Sequence, residues 1–84
     1  MGNSIIKSVI INDLVYEMFS NEKSIDDYGK TTLFYITIKK KQKPVLNPID
    51  IGNNKSIAMT IFNLIEINQV HPVHIIDVIT DLIS

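Results

Sequence analysis

The 84-residue sequence predicts a single small α+β domain over residues 1–84, with one helix, a short β element and two C-terminal helices. Three observations predict this class. Polar residues recur at three-to-four spacing in residues 4–20, and apolar residues line one side of helical patterns in residues 55–69 and 72–83. Apolar and polar side chains alternate in residues 31–42, and prolines and glycines fall between these segments. The expected order is helix, strand, short strand, helix, helix.

Residues 4–20 predict the first helix, because polar residues recur there at helical spacing between isoleucine, leucine and valine. Asn3 or Ser4 is the candidate N-cap. The run of β-branched side chains argues against a helix, so a strand over residues 5–11 is the alternative. Residues 21–30 predict a polar loop that ends in a glycine turn.

Residues 31–42 predict the main strand, which ends before Pro44 because proline cannot donate to a strand ladder. Residues 44–54 predict a short second strand around two prolines and a glycine. On the main strand, one set of alternating side chains is expected to face the core: Phe34, Ile36 and Ile38. The other set faces away and contains Leu33, Tyr35, Thr37 and Lys39.

The last two elements are predicted helices over about 55–69 and 72–83. Asn54 is the expected N-cap of the first, and Pro72 suits the first turn of the second. The apolar side of the first contains Ile57, Ala58, Ile61, Phe62, Leu64 and Ile65. The second is expected to present Val73, Ile76, Ile79 and Ile83 on one face, which Ile75, Val78 and Leu82 widen.

The predicted main strand needs a hydrogen-bonding partner, or it leaves an adhesive edge. Residues 45–51 can pair with only part of it. The sequence leaves two further partners open, which are residues 5–11 and the same strand of a second copy. The lysines at its end could also protect an edge against uncontrolled pairing.

The composition favours contact over chemistry. The chain contains 17 isoleucines and no cysteine, arginine or tryptophan, and 45% of its residues are hydrophobic. A domain this small has difficulty burying so much apolar surface alone, so we expect a homodimer.

The excess of isoleucine, asparagine and lysine indicates an AT-rich genome, which suits a phage or mobile-element accessory protein. No signal peptide or membrane span is evident, which favours a cytoplasmic protein without a membrane partner.

Motifs for catalysis or cofactor binding are incomplete. Gly29-Lys30-Thr31-Thr32 resembles the end of a phosphate-binding loop, but it opens a predicted strand and Ser24 replaces the first glycine. His74, Asp77 and Asp81 would share one face of the last helix and could contribute to a metal site. His71 lies at the start of that helix and is expected to point elsewhere, so no fourth ligand is evident. The loop acids Asp26 and Asp27, beside Tyr28, are typical of a solvated turn. We therefore predict no enzyme activity, catalytic residue, metal or cofactor.

Charge is distributed unevenly, with +4 over residues 39–55 and −5 over the rest of the chain. This pattern predicts a module that binds another protein, in which apolar contacts supply affinity and the lysines orient an acidic partner. The expected partner-binding residues are Tyr35, Lys39, Lys40, Lys41 and Lys43. The alternative is a nucleic-acid-binding dimer that uses the same lysines, although arginines and interleaved aromatics are missing.

Overall fold

The computed structural model describes residues 3–25 and 29–83. Over these residues an antiparallel sheet of five strands is followed by two helices. The strands are β1 (Asn3–Ile11), β2 (Leu14–Ile25), β3 (Gly29–Lys40), β4 (Lys43–Pro44) and β5 (Ile49–Asp50), and the helices are α1 (Lys55–Asn68) and α2 (Pro72–Ile83).

The predicted first helix over residues 4–20 is wrong, because this segment forms the β1–β2 hairpin. Asn12 and Asp13 make its two-residue turn with φ of 49° and 71°, the left-handed geometry that matches the twist of paired strands. The helix-like spacing of polar residues is a product of the hairpin. Ser8 and Glu17 are cross-strand partners, and the turn supplies the two polar residues between them. The alternative of a strand over residues 5–11 agrees with β1.

The predicted polar loop over residues 21–30 is mostly strand. β2 continues to Ile25, and β3 begins at Gly29, which pairs with Ile25 and has a φ of +86°. Glycine adopts this conformation without steric cost. The loop residues Asp26, Asp27 and Tyr28 lie outside the described residues.

The main strand begins and ends slightly earlier than the predicted 31–42. Lys41 and Gln42 form a second tight turn, with φ of 52° and 69°, and the chain returns as β4. Pro44 pairs with Lys39 at the sheet edge, where a missing backbone donor costs little. The predicted core face of β3 is confirmed, since its three expected core residues are buried: Phe34, Ile36 and Ile38. Thr37 of the opposite set is buried as well.

The strand order is β1-β2-β3-β4, and β5 also pairs with β3. β2 pairs with β3 along its whole length, from Gly29 to Lys40. The main strand therefore finds its partner within the chain. Among the described strands, β1, β4 and β5 each pair on one side alone, and β1 is the longest of the three, so it carries the long open edge that the sequence had placed at the main strand.

The core lies between one face of the sheet and the two helices. Tyr16 and Met18 of β2 are fully buried beside Ile38 and Ile36, their cross-strand partners on β3. The helices contribute Ala58, Ile61, Phe62 and Ile65 from α1, and Ile75 and Ile79 from α2.

The helix predictions hold in their positions, but the faces need correction. Asn54 caps α1, because its side-chain oxygen accepts a 3.0 Å hydrogen bond from the Ile57 amide, and α2 begins at Pro72 as predicted. The Ile57 side chain is exposed, and so are Val73 and Ile76 of α2. A two-layer domain covers one side of each helix, which is narrower than these apolar faces.

Candidate functional site

The side of the sheet opposite the helices is a candidate binding surface. We call it the outer face. Its side chains come from the alternate positions of the three long strands and form cross-strand rows. One row contains Ile5, Phe19 and Tyr35, and the next contains Ser8, Glu17 and Thr37. The described helices pack on the other side, so this face has no helical cover of its own.

An aromatic pair lies at the centre of the outer face. The rings of Phe19 and Tyr35 stack with centroids 5.3 Å apart and planes 19° from parallel. Both side chains are half-buried, and Ile5 beside them is 64% exposed. Stacked pairs of this kind contribute about 0.5–1.5 kcal/mol beyond simple burial. The pair is therefore a rigid apolar platform that solvent can still reach.

Next to this platform, a groove of about 430 Å³ crosses the outer face. Lys39 and Glu17 form an ion pair within it, with Nζ and Oε1 3.1 Å apart. Thr37 at its floor is only 7% exposed. The groove is lined by Ile5, Glu17, Phe19, Thr37, Lys39, Pro44 and Pro48. It combines rigid apolar walls with one charge-neutral polar pair.

The structure divides the five residues predicted to bind a partner. Tyr35 and Lys39 lie on the outer face, four positions apart on β3 and therefore about 13 Å apart. Lys40 and Lys43 are cross-strand partners on the opposite side of the sheet, and Lys41 lies in the turn between them. The lysines are thus close in space but do not form one flat patch with Tyr35.

A second cavity, the sheet-end pocket, lies between the two tight turns and the α1–α2 connection. It has a volume of about 440 Å³. Its apolar lining comes from Ile11, Leu14, Val45, Leu46, Pro72 and Val73 together with the ring of Tyr16. The polar side chains around it are Asn12, Lys40, Gln69 and His71.

Tyr16 joins this pocket to the core. Its hydroxyl donates a 2.7 Å hydrogen bond to the Val70 carbonyl. Burial raises the pKa of this hydroxyl above its ordinary value of 10.0, because the charged phenolate would lose its hydration. Tyr16 therefore stays protonated and acts as a structural donor.

The other sequence motifs are not assembled into a site. Within residues 3–25 and 29–83, no three histidine or acidic side chains cluster closely enough to hold a metal ion. The Nδ1 atom of His71 accepts a 3.1 Å hydrogen bond from the Val73 amide at the start of α2. Residues 29–32 belong to β3 and do not precede a helix. Neither helix in the described part of the chain is long and apolar enough to cross a membrane.

The sequence prediction missed Ile5, Glu17 and Phe19, which complete the outer face. All three fell within the segment expected to be a helix. The available signal was the alternation around residue 17, where Tyr16 and Met18 are buried and their neighbours face outward. A helix-like spacing of polar residues hid this two-residue period.

Fold and surface together define a small α+β domain whose sheet is covered by two helices on one face and open on the other. Comparisons of the chain with models of known protein families, with curated proteins and with solved structures found no match.

Proposed function

We propose that this chain is a non-enzymatic binding module that docks another protein on its outer face. The observation that carries the proposal is the stacked Phe19–Tyr35 pair on a sheet face that the described helices leave uncovered. Aromatic side chains in well-packed surroundings are the residues that most often dominate protein interfaces. Here the two rings are held in place by β2–β3 pairing, so little side-chain freedom is lost on binding.

Charge would add orientation to this apolar contact. Lys39 is paired with Glu17 at 3.1 Å, so a partner that covers this part of the face would bury a neutral ion pair, which costs less than burying a single unpaired charge. The remaining lysines of the cluster are exposed at the sheet end: Lys40, Lys41 and Lys43. An acidic segment of the partner would be attracted there and would fix the direction of docking.

A paired substitution tests the docking surface. Tyr35→Ser removes one ring of the platform, whereas Ile76→Ser removes an exposed apolar side chain from α2, on the other side of the molecule. We expect immobilised wild-type protein and Ile76→Ser to retain the same proteins from the native host, and Tyr35→Ser to lose them. Circular dichroism checks that both variants fold. Equal capture by the two variants would rule out the outer face as the docking surface.

We further propose that the module is a homodimer that pairs β1 with β1 of a second copy. The edge of β1 is open among the described strands, and Ile10 on it is 75% exposed, as is Ile67 on α1. A bulge at Ile6 interrupts the strand, but Lys7–Ile11 remains regular. The Lys7 ammonium contacts Asn63 and Glu66 of α1. It therefore does not oppose pairing of the β1 edge with another strand.

Antiparallel pairing of β1 about a two-fold axis would satisfy the open backbone groups and extend the outer face across both copies. Light scattering coupled to size exclusion should give twice the 9.5 kDa chain mass. Ile10→Lys should restore the monomer and Ile76→Lys should not. A wild-type mass of one chain at micromolar concentration would contradict the dimer.

The second candidate is binding of single-stranded nucleic acid on the same face. The specific observation in its favour is the half-buried stacked aromatic pair on a sheet face that also carries Lys39, because bases stack on such platforms. Against it stand the net charge of −1 and the neutralisation of Lys39 by Glu17. Retention on single-stranded DNA or RNA that falls with salt would support it. Unchanged retention after changing Lys39, Lys40, Lys41 and Lys43 to glutamine would exclude it.

A further inference from the structure

The sheet-end pocket is separate from the outer face, and it shares only Lys40 with the lysines that would orient a docked partner. Two tight turns lie side by side at this end of the sheet. Leu14 follows the first turn and Lys40 precedes the second, and these two residues are cross-strand partners. The α1–α2 connection lies across the opening through Gln69, His71 and Pro72. The space between these segments is about 440 Å³, which is within the range of small-molecule sites in proteins.

The lining of this pocket contains a positively charged side chain and no negatively charged one. Its floor is apolar and includes Ile11, Leu14 and Leu46. Lys40 is the cation among the lining residues, and no aspartate or glutamate is included with it. The Nδ1 atom of His71 accepts the Val73 amide hydrogen, so the neutral ring carries its proton on Nε2 and can act as a further donor.

We propose that the sheet-end pocket binds a small amphiphilic anion, namely a carboxylate on a short alkyl chain. The alkyl chain would replace water over the apolar floor, and the carboxylate would accept hydrogen bonds from the Lys40 ammonium. A neutral compound would gain no charged contact with Lys40, which is exposed, and a cation would be repelled. The lining therefore favours this class through burial of the tail and charge complementarity at the rim.

Octanoate is the probe for this site, and the readout is the set of backbone amide shifts in proton–nitrogen correlation spectra of the full chain. We expect saturable shifts at Leu14, Leu46 and Val73 with a dissociation constant on the order of 1 mM, since few atoms are buried. Octanol, which has the same tail without charge, should bind about fivefold more weakly. Acetate, which lacks the tail, should produce no saturable shift.

Two matched pairs of variants separate the head from the tail. Lys40→Gln should weaken octanoate about fivefold and leave octanol unchanged, whereas Lys43→Gln, in the same hairpin but outside the lining, should change neither. Val73→Asp places a carboxylate in the lining and should abolish octanoate binding. Ile76→Asp, one turn further along α2 and also exposed, should not.

Three results would overturn the proposal. Octanoate shifts that do not saturate at the pocket residues would show that octanoate has no binding site there. Equal affinity for octanol and octanoate would show that the pocket does not prefer an anion. Shifts confined to Phe19, Tyr35 and Thr37 would move the ligand to the outer-face groove. The dimer and the outer-face docking surface are unaffected by any of these outcomes, because they rest on the β1 edge and on Phe19 and Tyr35, and Lys40 enters the docking only as one of three orienting lysines.

Discussion

The hydroxyl of Tyr16 donates a 2.7 Å hydrogen bond to the backbone carbonyl of Val70. Tyr16 lies near the start of β2 and is only 1% exposed, whereas Val70 belongs to the connection between α1 and α2. The bond therefore joins the sheet to the point where the chain turns from one helix to the next. It also holds one wall of the sheet-end pocket.

Tyr16→Phe should lower the free energy of unfolding by about 1 kcal/mol, because the Val70 carbonyl loses its donor. Chemical denaturation at pH 7 measures this loss. Tyr35→Phe is the matched control, since the Tyr35 ring lies on the outer face. An equal loss in both variants would show that the Tyr16 hydroxyl contributes nothing specific.

The same residue predicts a pH dependence. Burial raises the pKa of Tyr16 in the folded chain above the value of 10.0 that it has when unfolded. As pH rises past 10, the unfolded chain releases this proton first, so the unfolded state is favoured and stability falls. Wild type and Tyr35→Phe should lose stability in this range, and Tyr16→Phe should lose less. Parallel pH profiles for all three proteins would contradict the assignment.

Asp13→Gly should stabilise the chain by about 0.5 kcal/mol. Asp13 has a φ of 71° in the β1–β2 turn, and glycine is favoured at this position of such turns. Thermal unfolding measures the change. In a helix interior the same substitution would cost about 0.3 kcal/mol, because glycine is about 1 and aspartate about 0.7 kcal/mol less favourable than alanine, so the sign distinguishes the hairpin from the helix that the sequence predicted. Ser8→Gly, in the regular part of β1, should destabilise.

Asn54→Ala should cost about 1 kcal/mol of stability, because the Ile57 amide loses its 3.0 Å hydrogen bond to the cap. Asn53→Ala is a close control, since Asn53 is the exposed preceding residue. Its substitution should change stability little. Denaturant midpoints of the two variants give the comparison, and similar values would argue that Asn54 is not the cap.

Lys7→Met should destabilise the chain by less than about 1 kcal/mol, and the loss should shrink in high salt. The Lys7 ammonium lies 2.8 Å from Asn63 Oδ1 and 3.0 Å from Glu66 Oε1, and 5.8 Å from the centre of the Phe62 ring. All of these contacts are partly exposed, which limits their strength. Lys23→Met, on an exposed part of β2, is the control. A loss that is independent of salt would indicate packing of the side-chain stem.

The C-terminal half of the fold was predictable because its signals are local. A capping asparagine precedes α1, a proline begins α2, and the apolar spacing between them is helical. Each feature acts on residues within one or two turns of itself. The exposure of Ile57 and Val73 was not predictable in the same way, since it depends on which side of each helix meets the sheet.

The N-terminal half and most of the candidate surface were not predictable from local patterns. Asn12 and Asp13 lack the glycine that usually marks a two-residue hairpin turn, and the pairing of Ser8 with Glu17 imitates a helical period. The sequence did place Tyr35 and Lys39 on one face. It could not bring Phe19 to Tyr35, because that contact joins residues far apart in the sequence on two different strands.

The sequence by itself determined the composition of the interior, which is rich in isoleucine, and the position of the lysine cluster. It also determined two helices with their first residues, and a strand with Ile36 inward and Tyr35 outward. Only the tertiary structure decided which surfaces remain open. Strand pairing is made between distant residues, and it set β1 at the edge, stacked Phe19 on Tyr35 and divided the lysines between two sides of the sheet. The physical reason is that helix signals act within a turn, whereas a sheet face exists only after its strands are in register.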